Sequence, residues 1–252
     1  MKKTSGFLLL TLALTGFTYL TSCKNTSTSA SGSDFEGVVS YQIKADSGVP
    51  PEAASMFKSV EMKTFVKGDL SRSEEKSPQA STIVLNNNKT PDDPTMLITM
   101  LGHKYAVKLT DSLKKIAAEN VPKIEYIDSA NATKQIAGYT CKKAKITLTM
   151  NMPNGGAPVT NSSYVYYTTD LPCVDPKGQF KGLKGMPMEY IISESGMSIT
   201  IEATAVEKKT LADSLFVIPS GYKEMSIADV QKDLMKSMQG SSADSAAGGG
   251  TK

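Results

Sequence analysis

Residues able to do acid–base or nucleophilic chemistry are few and scattered. His103, the one histidine, stands in "LGHKY", a turn-like break between two apolar stretches. A serine or cysteine nucleophile needs a base held beside it, and a solvated turn accounts for His103 without one. Paired acids occur in "GDLSRSEE" and "PDDP". Both read as solvated turns, whereas acid–base partners need unlike environments that push their pKa values apart. "NGG" at Asn154 is followed by neither a lysine nor a helix start, so it reads as a turn and not as a phosphate cradle. His103 has no matching ligands at zinc spacing, and no Cys-x-x-Cys pair is present. The chain therefore offers no catalytic residues, no metal ligands and no cofactor site, and it reads as non-enzymatic.

One cysteine does carry a chemical address. Lys2 and Lys3 precede an apolar run from Phe7 to Leu20, the charged and apolar regions of a secretory signal. The run ends in Leu20-Thr21-Ser22-Cys23, which looks like a bacterial lipobox. Cleavage before Cys23 then leaves that cysteine first in the chain, with lipid on its thiol and its amine. Each buried acyl CH₂ contributes about 0.8 kcal/mol, so several chains hold where one lets go. Residues 1–22 are thus read as a lipoprotein signal and residues 23–34 as a flexible tether, too poor in apolar residues to pack. No acidic cluster follows Cys23, which favours the periplasmic side of the outer membrane over export to the surface.

The formal charge of +3 falls to about +1 without Lys2 and Lys3. No basic patch or stripe of the kind that binds nucleic acid occurs, and charge names no protein partner. With Cys23 lipidated, Cys141 and Cys173 remain as a candidate structural disulfide, permitted by an oxidising compartment and able to contribute about 3–4 kcal/mol on the chain-entropy model.

These residues must be carried on strands. Phe35, Gly37, Val39, Tyr41 and Ile43 alternate with polar neighbours, and so do Val60, Met62, Thr64 and Val66 before a turn at Lys67-Gly68-Asp69. Period-two patterning marks half-buried antiparallel strands. It returns in "STIVLNNNKT", "TMLITMLGHKYAVKL", "VPKIEYID", in Ala144, Ile146, Leu148 and Met150, in "SSYVYYTTDLP", and in a hairpin about Ser195-Gly196 whose second arm sets Met197, Ile199, Ile201, Ala203 and Ala205 on one face. Eight to ten strands are expected. Helices are short, at Pro50–Lys58, Asp111–Asn120 and Ser226–Gln239, the last opened by a Ser226/Asp229 capping box and striped with Ile227, Val230 and Leu234. The pattern predicts a mainly β protein, either a single large curved antiparallel sheet or a sandwich, whose few short helices could cover only one open mouth of a curled sheet. Residues 35–225 form the β domain, 226–240 the amphipathic helix and 241–252 a disordered tail.

Three segments, "DFEGVVSYQI", "KQIAGYTCKKAKI" and "VEKKTLADSLFVIPSGYKEM", together resemble the DUF4412 family of Bacteroidetes exported proteins. That family is similar to the LolA/LolB group of periplasmic lipoprotein carriers. The resemblance runs from about Phe35 to Met225 and is most specific in "SLFVIPSGY". It implies an unclosed β-barrel with a concave apolar face and a helical lid. LolA-like carriers grip cargo with an arginine, and the only arginine here is Arg72, in the turn-like "LSRSEE".

Two functions fit this reading. One is a lipid-anchored, noncatalytic binding module for a lipid or other apolar ligand, walled by Phe35, Val39, Tyr41, Met62, Ile146, Leu148, Ile199 and Ile201. The other is a structural or interaction lipoprotein of the envelope with a filled core. A connected apolar cavity distinguishes the first from the second.

Overall fold

The computed structural model describes residues 35–90, 93–108, 122–127, 132–150, 158–175, 178–194 and 196–236. Cys23, the signal and tether, the helix expected at Asp111–Asn120 and the tail lie outside the described residues.

Among the described residues thirteen strands make one sheet, more than the eight to ten expected. They are β1 (Glu36–Ala45), β2 (Glu61–Lys67), β3 (Leu70–Lys76), β4 (Ala80–Asn87), β5 (Thr95–Met100), β6 (His103–Lys108), β7 (Lys123–Ile127), β8 (Thr133–Ile136), β9 (Tyr139–Met150), β10 (Val159–Thr168), β11 (Met186–Glu194), β12 (Met197–Lys208) and β13 (Lys223–Met225). Their order is β13-β6-β5-β4-β3-β2-β1-β12-β11-β10-β9-β7, with β8 also paired to β9. All pairs are antiparallel except β13 with β6. The sheet is open: β13 and β7 are its ends.

Register defines an inner face. Val39, Thr64, Ser73, Val84, Met96 and Val107 pair directly across β1 to β6. Ile43, on the same side of β1 as Val39, begins a second row through Ile201, Tyr190, Val165, Ala144 and Tyr126. Directly paired residues point the same way and strand residues alternate, so both rows lie on one face.

The expected face of β12 breaks at one point. Ser40 pairs with Ala205 but Tyr41 with Ala203, so Thr204 is the extra residue of a β-bulge. Beyond it the alternation flips. Ala205 is exposed, and Val206 takes the inward place beside the Val39 cluster.

Two pieces of chain cover the inner face. The helix at residues 227–236, here α2 (α1 being Pro51–Phe57), places Val230 and Leu234 on Val84, Met96, Ile98, Tyr105 and Val107. Half of the expected capping box forms: the Asp229 amide donates to Ser226 Oγ at 3.2 Å, while the Asp229 carboxylate accepts the Ser226 hydroxyl at 2.7 Å in place of its backbone N–H. The Tyr105 hydroxyl donates to Asp233 at 2.7 Å. At the other end, the β10–β11 connection folds back. Leu171 and Val174 pack on Phe35, Val39 and Val66, and Phe180 and Leu183 pack on Ala144, Ile146 and Val165.

On the outer face, the segment from β12 to β13 runs as a strap over β2–β6. The Lys67 ammonium donates to the Leu211 carbonyl at 2.7 Å, Arg72 donates to the Leu215 carbonyl at 2.9 Å, and the Thr99 and Tyr222 hydroxyls meet at 3.1 Å. This corrects the turn reading of "GDLSRSEE". Only Gly68 and Asp69 turn, since Lys67 pairs with Leu70, and the rest is β3. Arg72 and Glu74 are buried there as an ion pair, with Lys76 on the second Glu74 oxygen at 2.5 Å. Burial would raise the Glu74 carboxyl, but the hydrogen bonds from Lys76 and Arg72 outweigh it and hold its pKa below the usual value. Arg72 thus locks the strap, on the face away from any inner-face ligand.

Candidate ligand-binding cleft

Between the two covers the inner face stays open. Tyr41 on β1, Met62 and Thr64 on β2, Ser73 and Glu75 on β3, and Thr82 and Val84 on β4 floor a cleft of about 60 Å³. Val174, Asp175, Gln179 and Phe180 from the β10–β11 connection, with Pro187 and Tyr190, form its other wall, and Lys63 and Glu74 border it. Glu75 and Tyr190 stand four strands apart, about 19 Å in a flat sheet at the usual spacing. Both line this one cleft, so the sheet curls around it.

Several contacts fix its shape. The Tyr41 hydroxyl donates to the Pro187 carbonyl at 3.2 Å, tying β1 to β11. The Asp175 carboxylate accepts the backbone N–H groups of Gln179 and Phe180 at 3.0 and 2.8 Å, which holds the turn that presents Phe180. Phe180 meets Tyr190 edge-on at 4.8 Å, a favoured aromatic geometry. The Thr64 and Ser73 hydroxyls pair across the floor at 3.3 Å. Burial, then Tyr190 and Cys173, raise the Tyr41 pKa well above its ordinary value. Burial, then the charges of Glu75 and Asp175, raise that of Tyr190. Both phenols stay neutral, so the site has polar atoms without a phenolate. Its chemistry is that of an apolar slot with hydroxyls along one side.

Of the eight residues expected to line a ligand site, the structure brings only Tyr41 and Met62 to the cleft. Phe35 and Val39 are sealed under Leu171 and Val174, Ile146 lies under Phe180 and Leu183, and Ile199 and Ile201 are buried. Leu148 is half-buried on β9 and does not border the cleft. For Phe35, Val39 and Ile146 the reason is the β10–β11 connection, which packs on the face they share. Missed were Ser73, Glu75, Thr82 and Tyr190, whose signal is register: each lies on the inner-face side of a strand crossing Tyr41 or its neighbours. Cys141 and Cys173 are both thiols here and both buried. They belong to adjoining clusters, Cys141 with Ile136 and Met186, Cys173 with Tyr167 and Leu183. Burial, then Asp170 and Glu189, push the Cys141 thiol up to about 11, which makes it inert at neutral pH.

His103 is exposed at the β5–β6 turn and stacks on Tyr105 at 5.9 Å, remote in register from the cleft floor. Among the described residues no group of three His, Cys, Asp or Glu side chains is placed to hold a metal ion. None of the described helices is long and apolar enough to cross a membrane.

No protein-family model matches the chain, and no curated protein matches it. The DUF4412 resemblance therefore rests on its three segments. Among solved structures the chain is similar to the crystal structure of LprF from Mycobacterium bovis, at 14% identity over 75% of this chain and 90% of that one, with a TM-score of 0.29. A likeness that loose carries neither fold nor role, and the functional reading rests on the cleft.

Proposed function

We propose that this chain is a membrane-anchored, periplasm-facing lipoprotein of the outer membrane whose β domain is a noncatalytic binding module for a lipid or other apolar ligand. The supporting observation is the cleft: an open sheet, covered at both ends of its inner face, leaves a lined gap of about 60 Å³ between the covers. The anchor is proposed from Cys23 and the apolar run before it. Membership of the DUF4412 group, and through it kinship with LolA-like carriers, is proposed from the three resembling segments. The placement of Arg72 on the outer face argues against cargo transfer by a carrier's arginine.

A second reading, an interaction lipoprotein with a filled core, draws support from the sealing of Val39, Ile146 and Ile201. Every described pairing and core cluster lies within residues 35–236, so residues 24–252 carry the whole described fold without the anchor. Native mass spectrometry of that form, purified from a periplasm and followed by lipid extraction, separates the two readings. A stoichiometric amphiphile is expected for the binding module. A clean apo mass, unchanged after envelope lipids are offered, would favour the filled core.

A further inference from the structure

We propose that the strap crossing the outer face is a membrane-docking surface, whose Val217 and Ile218 enter the lipid interface of the bilayer that holds the Cys23 anchor. The proposal rests on the anchor reading and adds an orientation to it: the cleft is turned away from the membrane.

The strap contains the apolar run Leu215-Phe216-Val217-Ile218-Pro219. A core usually takes in such residues, yet none of the five is buried. Leu215 and Phe216 are half-buried, while Val217 and Ile218 are 55% and 37% exposed. Apolar residues scattered singly over a surface are ordinary, whereas a contiguous exposed patch marks a contact with protein or membrane. The run is also fastened on both sides. Asp213–Phe216 form a short 3-10 turn, Arg72 holds the Leu215 carbonyl, and the Tyr222 hydroxyl meets that of Thr99.

The place where the chain enters the sheet decides which partner meets the run. β1 starts at Glu36, and Glu36 is joined to the start of the strap. The Lys209 amide donates to its carbonyl at 3.1 Å and the Leu211 amide to its carboxylate at 2.6 Å. Val217 follows Leu211 by six positions, at most about 22 Å of chain. Residues 24–34, between Cys23 and Phe35, span at most about 40 Å. The lipid surface at Cys23 is thus within reach of the strap, and a link this short gives an effective concentration on the order of millimolar. A weak apolar contact suffices at that concentration. Charge leaves the contact to the apolar side chains. Asp213, the only acid between Leu211 and Tyr222, is paired with Lys67 at 2.8 Å. At the other end Lys104, over the Tyr222 ring, and Glu224 on β13 offset one another. Lys67, Arg72 and Thr99 hold the strap from the outer face, so docking turns the inner-face cleft toward the periplasm.

The chain has no tryptophan, so one placed at residue 217 reports its own surroundings. Residues 23–252 carrying Val217→Trp are coupled through Cys23 to a maleimide-bearing phospholipid in vesicles of phosphatidylethanolamine and phosphatidylglycerol, Cys141 and Cys173 being buried. Met235→Trp, at an exposed position of α2, reports the side of the inner face. Docked residues sit about 5–10 Å into the headgroup boundary, so Val217→Trp should shift its emission to the blue on coupling and lose about half or more of it to lipids brominated along their acyl chains. Met235→Trp should do neither, and Ile218→Trp repeats the reading one residue on. Val217→Trp and Ile218→Trp left unshifted and unquenched overturn the docking in favour of a protein partner for the run, and leave the anchor standing. Quenching of Met235→Trp equal to that of Val217→Trp also overturns it. Expression of the full chain in a bacterium reads the anchor separately: a Cys23 that carries no lipid overturns the anchor, and the docking with it.

Discussion

Under α2, the inner face of β4–β6 presents Val84, Met96, Ile98, Tyr105 and Val107, and the helix seals them with Val230 and Leu234. On the adjoining stretch of β2 to β4 the same face presents Ser73, Glu75 and Thr82, which stay half-buried, beside the buried Thr64. The sheet, its register and its curl are shared, so the difference lies in side chains. Where the row is apolar, a covering helix gains the transfer free energy of every methylene it buries. Where the row carries hydroxyls and a carboxylate, a cover would have to satisfy each polar group or lose about 1–3 kcal/mol for each left unpaired. Val84 belongs to both regions and marks their border. An open cleft on an otherwise sealed face is thus a property of four or five residue types, not of the fold.

That contrast can be broken or sharpened by substitution. The largest expected effect comes from Gly185, where an added Cβ would lie 1.9 Å from the Thr168 carbonyl oxygen. Gly185→Ala forces apart the two ends of the β10–β11 connection and should cost about 4 kcal/mol in urea unfolding, with loss of any ligand binding. Leu234→Ala removes the centre of the α2 seal and should cost about 3 kcal/mol. Because α2 does not floor the cleft, that variant should keep its ligand affinity at temperatures where it remains folded. Tyr105→Phe is smaller, about 1 kcal/mol at pH 8 for the lost bond to Asp233.

Tyr105 also carries a pH signature. Burial, then Asp233, raises its pKa to about 12 from an ordinary 10. The fold favours the neutral phenol, so this contribution is full below about pH 10 and is lost as pH rises from about 10 to about 12. The unfolding free energy of wild type should fall across that range, and that of Tyr105→Phe should fall less steeply.

How far the sequence foretold this arrangement varies element by element. Strands with one apolar face were legible from period two, and the two-residue hairpin at Gly68-Asp69 follows from turn chemistry. The Ser226 N-cap of α2 was legible because its bond to the Asp229 amide is local. β3 was not, since Ser71, Arg72 and Glu74 are polar yet buried. They are tolerated there because Arg72 and Glu74 satisfy each other and the strap supplies the Leu215 carbonyl, a partner 143 residues away. The bulge at Thr204 had no visible marker, and it turned Ala205 outward against the pattern. Phe35, Val39 and Ile146 lie away from the cleft because "LPCVDPKGQFKGLKG" has no period, so its role as a cover over β1, β9 and β10 could be read only from the folded chain.

The central claim is that the gap between the covers is a binding site. It is tested most directly by filling it. Thr82 sits on the cleft floor, paired with Glu75 on β3 and with Ile98 on β5, and Thr82→Phe places a ring in the cleft. Titrating the environment-sensitive dye N-phenyl-1-naphthylamine into residues 24–252 should give one saturable fluorescence increase for wild type. For Thr82→Phe the affinity should drop about tenfold or more, with the unfolding free energy changed by about 1 kcal/mol or less. Equal dye binding by the two proteins, or none by wild type, would contradict the account.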